Sequence, residues 1–226
     1  MLQYLKMRRE KSLELFTKIF NLFHDNGYVL FMVGGTVRDY LLALELFDMD
    51  VVTDATPNQM KDFLHDADYT FAKFGSVKLK IDNMKFDITT MRKESQYEDA
   101  RHPNRVIFCR SLEEDVKRRD FTINGLYMDK DLKIYDFVNG QIDLENKIIK
   151  TIGKADKRIQ EDPLRIVRAL RFSIEFGFSI DEDLQNAINN NKDLLKKLNP
   201  AKVEEELKKS KDEKKLRETL NHLMNL

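Results

Sequence analysis

The chain has 226 residues, 42% of them apolar and 35% charged, with one cysteine and a formal net charge of zero. That length allows one large domain or two small ones, and the composition is ordinary for a soluble protein. Zero net charge argues against indiscriminate coating of nucleic acid, and no apolar run approaches the ~18 residues of a membrane-crossing helix. The first ten residues are polar and lack the apolar core of a secretory signal, and Cys109 has no partner for a disulfide or a zinc site. A reducing, cytoplasmic setting is expected.

Residues 12–24 carry Leu13, Phe16, Ile19, Phe20 and Phe23 at helical spacing, which predicts an amphipathic helix. Asn26-Gly27 ends it, and residues 28–33 read as a buried strand. That run stops at Gly34-Gly35, and residues 36–46 read as a helix, so the glycine pair sits where a strand turns into a helix. Residues 49–53 read as the next strand. Thr56-Pro57 opens another helix, to about residue 67, with Thr56 as N-cap and Pro57 in the first turn. After residues 71–74, the segments 76–81 and 84–90 alternate in polarity around Asp82-Asn83, a hairpin signal.

Residues 92–105 are polar and aperiodic, a stretch long enough to be functional or disordered. Beyond residues 106–109, Glu113-Glu114-Asp115 leads a helix into the run 117–124. Short strands at 125–128 and 133–137 precede an Asn139-Gly140 turn. From about residue 152 only helical patterns remain, at 155–160, 163–176, 183–189, 192–198, 202–209 and 212–223, with Asn199-Pro200 as a stop and restart. The chain is therefore expected to divide into a mixed head, residues 1–151, and a helical part, residues 152–226. The lysine–glutamate mixture from Lys192 to Lys215 reads as a solvated helical surface.

Chemistry concentrates at two places in the head. Glycines let the backbone turn with positive φ and bring amide N–H groups close to a phosphate, and Arg38 adds a planar guanidinium fork in the following turn. Without a ligand, the same pair is an ordinary tight turn. Asp48 and Asp50 lie one residue apart on a strand, so both point to one face. They stand among Phe47, Met49, Val51 and Val52, where charge is expensive unless paired or metal-bound. Magnesium favours one or two carboxylates plus substrate phosphates. Two such ions about 3.5–4 Å apart activate a hydroxyl and stabilise the leaving oxygen of an in-line displacement. Asp87, between Phe86 and Ile88, is the candidate third acid. The alternative is that these acids line the polar face of an edge strand.

Four motifs occur in order: Gly34-Gly35-x-x-Arg38-Asp39; Asp48-x-Asp50 with Thr53-Asp54-Ala55-Thr56-Pro57; Arg118-Arg119-Asp120-Phe121-Thr122-Ile123-Asn124; and Glu161-Asp162-x-x-Arg165. Together they resemble the bacterial-type (class II) tRNA nucleotidyltransferase and poly(A) polymerase family of the DNA polymerase beta superfamily, over roughly residues 28–178. The resemblance implies an α+β fold: a polymerase-beta-like head of mixed sheet and helices, then an all-helical neck and partial body. It implies addition or repair of the 3′-terminal CCA of tRNA from CTP and ATP with magnesium, or, alternatively, A addition or poly(A) synthesis. Under it, Asp48 and Asp50 bind the metal and, with Asp87, form the catalytic acids. Gly35, Arg38 and Arg119 contact the nucleotide, Asp120 is a candidate for its ribose, and Asp162, Arg165, Arg168 and Arg171 form the nucleotide-facing stripe of the neck.

Asp162 and Arg165, three apart, are expected to be neighbours on one helix. An acceptor beside a donor fork matches the amino group and ring nitrogen shared by cytosine and adenine, and mismatches guanine and uracil. An ordinary helix salt bridge is the alternative. In the family, the loop corresponding to residues 92–105 is associated with the switch from C to A addition. Here residues 97–103, including His102, are present at full length. Gly125 and Tyr127 stand where the family often has small residues, and family members usually continue beyond a point like Leu226 into further helical domains that hold tRNA. A non-catalytic RNA- or nucleotide-binding module that uses the C-terminal lysines is the competing class.

Overall fold

The computed structural model describes residues 2–94 and 106–225. The segment 97–103, with His102, lies outside the described residues. The chain forms two compact units. Of the described residues, the first comprises 2–94, 106–118 and 124–138, and the second Arg119–Ile123 and 139–225.

In the first unit, helix α1 (Leu2–Asp25) leads into strand β1 (Leu30–Val33). Of the predicted stripe Phe16, Ile19 and Phe23 are buried, joined by Leu15, whereas Leu13 and Phe20 are only half-buried. Helix α2 (Gly35–Leu41) stops short of the expected residue 46. Ala43 adopts a left-handed φ of 56°, and the Leu44 amide donates to the Asp39 carbonyl at 2.8 Å, closing the helix end. Strand β2 (Asp48–Thr53) follows, then the single turn α3 (Pro57–Met60), with Thr56 as the expected N-cap and a capping box that joins it to Gln59. The chain leaves this helix in tight turns rather than continuing to residue 67, and residues 72–74 form a 3₁₀ turn.

Strands β3 (Ser76–Ile81) and β4 (Met84–Thr90) form the expected hairpin. Asp82 and Asn83, at φ 47° and 67°, supply the two left-handed residues that a two-residue turn between twisted strands requires. The segment expected to be aperiodic begins as strand β5 (Arg92–Glu94), which pairs with β6 (Val106–Phe108). Helix α4 (Leu112–Val116), capped by Ser111, and strands β7 (Leu126–Met128) and β8 (Ile134–Asp136) complete the unit. Six strands make one mixed sheet in the order β3-β4-β2-β1-β7-β8, with β2 and β4 parallel and the other pairs antiparallel. Strand β2 is therefore interior, which removes the edge-strand reading of its acids.

Tyr127, at a position where a small residue was the expectation, is fully buried. Its hydroxyl donates to Asp115 Oδ2 at 2.9 Å, while Asp115 Oδ1 accepts from the Arg118 Nε at 2.8 Å and the Arg92 amide at 3.1 Å. A fully buried carboxylate is tolerable only with partners of this kind. Near it, Cys109 is half-buried, its thiol pushed up by burial, with Sγ 3.7 Å from the Ser111 carbonyl.

The second unit is largely helical: α5 (Gly140–Glu145), α6 (Ala155–Glu161), α7 (Leu164–Phe176), α8 (Glu182–Asn191), α9 (Pro200–Lys208) and α10 (Glu213–Asn225). A feature without periodic signal interrupts this pattern. Strand β9 (Ile148–Ile149) pairs in parallel with β10 (Ser179–Ile180), each too short to alternate. Phe121 enters the core here, edge-on to Phe172 at 5.8 Å between ring centres. Residues 119–123, which bend and then enter a 3₁₀ turn at Thr122–Asn124, are held by bonds from the Thr122 amide to the Lys150 carbonyl and from the Ile152 amide to the Asp120 carbonyl. No helix among the described residues is long and apolar enough to cross a membrane.

Removing only the Tyr127 hydroxyl tests the Asp115 network. A hydrogen bond to a buried charge is worth about 1.5–3 kcal/mol, so Tyr127→Phe should lower the thermal midpoint by about 5 °C. Circular dichroism melting checks this, and an unchanged midpoint contradicts it.

Candidate active site

Gly34 caps α2 with φ 65° and ψ −128°, a conformation that favours glycine. Gly35 has ordinary helical φ, and its constraint is proximity. A Cβ there would stand 3.3 Å from Asp50 Oδ2 and 3.5 Å from Arg38 Nη2. The first turn of α2 is thus held against β2. The buried Thr36 hydroxyl accepts from the Asp50 amide at 2.7 Å, tying the same two elements together. Arg38 is buried, with Nε donating to Asp39 Oδ1 at 2.8 Å and Nη1 to the buried Asn124 Oδ1 at 2.7 Å. Its guanidinium is fixed in the plane these two partners define.

Asp48, Asp50 and Asp87 share one sheet face, with Asp50 and Asp87 level across the parallel pair. These acids are less buried than their apolar neighbours in the sequence predict. Asp48 is exposed and Asp50 and Asp87 only half-buried, because β2 turns its apolar alternate residues, Met49 and Val51, to the core instead. No large desolvation cost forces a metal here. What favours one is the ligand chemistry: two hard carboxylates on an open face suit a magnesium ion that takes its remaining ligands from water and phosphate. Asp87 also faces Lys78, whose Nζ lies 3.7 Å away. Among the described residues, no group of three or more His, Cys, Asp and Glu side chains is close enough to hold a metal. The pair Asp48 and Asp50 therefore fits the ion better than the full triad.

In the second unit the arginine stripe differs from expectation. Asp162 is not on the helix with Arg165. It caps α6 in an extended conformation (φ −148°, ψ 95°), because the following Pro163 excludes helical backbone at the residue before it. Its Oδ1 accepts from the Leu164 amide at 3.1 Å. Arg165 is buried, and Nη1 donates to the Arg158 carbonyl at 2.5 Å with Glu161 Oε2 at 3.4 Å. Arg168 donates through Nε and Nη2 to Asp120 Oδ2, and Arg171 Nε donates to the buried Glu206 at 3.0 Å, with Glu175 on its Nη1. Arg119 has its carbonyl held by Arg158 Nη2 at 2.7 Å. Of the four arginines in this unit expected to face a nucleotide, Arg165, Arg168 and Arg171 thus organise their own unit.

Burial alone would weaken the hold of Arg168 on its proton, but Asp120 and Glu206 more than offset it, so the guanidinium stays charged throughout the accessible range. Burial would likewise raise Glu206, yet Arg168, Lys209 and Arg171 carry it below its ordinary value. The sequence motifs pointed to Gly35, Arg38, Asp48 and Asp50. They did not single out Thr36 or Asn124, although both lie inside quoted motifs, nor Glu206, whose partners are 35 and 38 residues away.

A glycine-led helix turn pressed onto an acid-bearing strand of a mixed sheet, followed by helices, is the architecture of a polymerase-beta-like nucleotidyltransferase head. The chain belongs to the poly(A) polymerase head domain family, which it matches over residues 30–150. It is 42% identical over 185 residues to the CCA-adding enzyme of Lactobacillus helveticus, covering 82% of this chain and 46% of that protein. To the CCA-adding enzyme of Staphylococcus aureus it is 36% identical over 218 residues, covering 96% and 54%. The crystal structure of the Bacillus stearothermophilus CCA-adding enzyme in complex with CTP is similar at a TM-score of 0.78 and 34% identity, over 88% of this chain and 47% of that one. The chain spans about half the length of the curated relatives it matches.

The Glu206 carboxyl gives a pH prediction. Its folded pKa lies below the ordinary 4.5, so the unfolded chain binds the proton more tightly. The stability it contributes is complete above that value and is lost as pH falls through the lower folded value. Thermal midpoints measured from about pH 6 to about pH 3 should fall for the natural chain. Glu206→Gln should start lower at neutral pH and fall less steeply over the same interval, and identical slopes would contradict this.

Proposed function

We propose that the chain is the nucleotide-transferring part of a cytoplasmic enzyme that adds or repairs the 3′-terminal CCA of tRNA, using CTP and ATP and releasing pyrophosphate. The observation that carries the proposal is the first turn of α2, fixed against Asp50 by the absent side chain of Gly35 and the Thr36 hydroxyl, with Arg38 locked by Asn124. Family membership and two CCA-adding relatives matched over most of the chain support it. In functional terms the chain divides into a catalytic head, residues 1–151, and a helical neck with partial body, residues 152–226.

Asp48 and Asp50 hold magnesium, which when bound activates the RNA 3′-hydroxyl and stabilises the departing pyrophosphate in an in-line displacement. Asp87 adds a third carboxylate level with Asp50. The side-chain-free backbone at Gly34 and Gly35 lets the triphosphate approach, and the Arg38 guanidinium, already oriented, loses little freedom on meeting it. Arg119 would bind the nucleotide, and Asp120, whose oxygens meet Arg168 and the Phe121 amide, is the candidate for its ribose. Asp162 offers its second carboxylate oxygen as an acceptor on an extended residue, and Arg165, whose Nη1 is engaged by the Arg158 carbonyl, would donate beside it through its remaining N–H groups to read the edge common to cytosine and adenine. Arg168 and Arg171 hold this surface in place through Asp120, Glu175 and Glu206.

Incubating tRNA that lacks its terminal CCA with each nucleotide singly, then sequencing the products, tests the reading. C addition from CTP and A addition only after it are expected, and G or U incorporated at comparable rates would overturn it. Addition of A alone, only to acceptors already ending in CC, assigns the A-adding reaction instead. Asp50→Asn should lower incorporation at least about 10³-fold, since the electrostatic stabilisation it organises is among the largest contributions to rate. Gly35→Ala leaves the backbone unstrained but displaces Asp50 by a few tenths of an ångström. It should cost about tenfold in rate with an unchanged melting midpoint.

A further inference from the structure

The outward sheet face that carries the acids continues into a cationic strip. Side chains alternate along β3 and β4, so Lys78 and Lys80 on β3 and Lys85 on β4 stand on the same face as Asp87, while Val77, Leu79, Phe86 and Ile88 are buried on the other. Lys80 and Lys85 are register partners across the hairpin, with backbones about 5 Å apart. Like charges placed directly opposite destabilise a strand pair. Both are exposed, and neither has an ion-pair partner among the described residues. Lys85 is also the register partner of Asp48 on the adjoining strand, about 4.8 Å away through the sheet.

Lysines on an edge strand ordinarily guard against edge-to-edge aggregation. That accounts for Lys78 and Lys80, since β3 is at the edge, but not for Lys85, because β4 is interior. With Lys85 off the edge, the exposed pair instead presents two adjacent ammonium groups to an anion arriving beside the acids. We infer that Lys80 and Lys85 grip the backbone phosphates of the RNA strand whose 3′-hydroxyl is extended, steering that end to Asp48 and Asp50. This rests on the proposed function for the identity of the acid site. The ligand class is single-stranded RNA just 5′ of the reacting terminus. Phe71 supports a single strand over a duplex, since its ring is exposed beside Lys78, at 5.6 Å from the ammonium, and offers a face for an unpaired base.

The test is a fluorescence-anisotropy titration of the full chain with a labelled RNA minihelix ending in an unpaired 3′ nucleotide, at KCl between about 50 and 200 mM. Lys80→Ala/Lys85→Ala should weaken binding about tenfold at the lower salt and reduce the slope of log affinity against log salt by about 1.4, or 0.7 per lysine. The KM for CTP should stay as it is. Lys80→Glu turns the repulsive pair into an attractive one, so its melting midpoint should hold or rise while RNA binding falls, which separates binding from folding. Unchanged affinity and slope, a shift in the KM for CTP instead of RNA affinity, aggregation with undiminished binding by the remaining protein, or a natural chain that does not bind the minihelix would each overturn the inference. A natural chain that binds the minihelix through these lysines but adds no nucleotide would sink the proposed function alone.

Discussion

The contact between one helical turn and one strand governs the first unit. The bare backbone at position 35 lets helix α2 lie close to the Asp50 carboxylate on β2, and the Thr36 hydroxyl takes the Asp50 amide as its partner. With that contact made, Arg38 is carried into reach of Asn124, and the carboxylate of Asp50 is left beside the turn rather than buried under it. Packing and chemistry are satisfied by the same atoms. Any larger residue at 35 must move a carboxylate, and any apolar residue at 36 leaves an amide of β2 without its acceptor.

The second unit solves a different problem, the burial of charge. Arg158, Arg165, Arg171, Asp120 and Glu206 lie within or at the edge of a helical core. Bringing such groups out of water costs several kcal/mol each unless they are paired with good geometry. The pairs observed meet that condition. Arg171 spans Glu206 and Glu175, and Arg168 spans Asp120 and Glu206. Besides offsetting the cost of burial, these pairs fix the orientation of the side chains they join, which an apolar core would not do. Asp120, whose Oδ1 accepts from the Phe121 amide while Oδ2 meets Arg168, is held at both oxygens.

How much of this was legible in the sequence depended on the range of the forces involved. Local chemistry was readable: the hairpin turn at Asp82-Asn83, the N-cap at Thr56, and the strand–glycine–helix junction follow from neighbours in the chain. The alternation along β2 placed Asp48 and Asp50 on one face, and register then set Asp87 level with Asp50. Helix lengths were less legible. The pattern through residue 46 is apolar enough for a helix, but the left-handed Ala43 ends it, and nothing in alanine announces that conformation. The arginines show the limit most clearly. Their spacing at 165, 168 and 171 is periodic whether they face a ligand or a core of carboxylates, and only the fold brings Asp120 and Glu206 to them. Pro163, by contrast, was a local signal that Asp162 could not be helical.

The environment of Cys109 has its own consequence. Nucleophilic attack by sulfur requires the deprotonated form, and enclosure by neighbouring groups keeps this proton in place at neutral pH. At neutral pH the one sulfhydryl of the chain therefore meets alkylating reagents more slowly than an open thiol of ordinary acidity would, and the rate rises with alkalinity as the proton leaves.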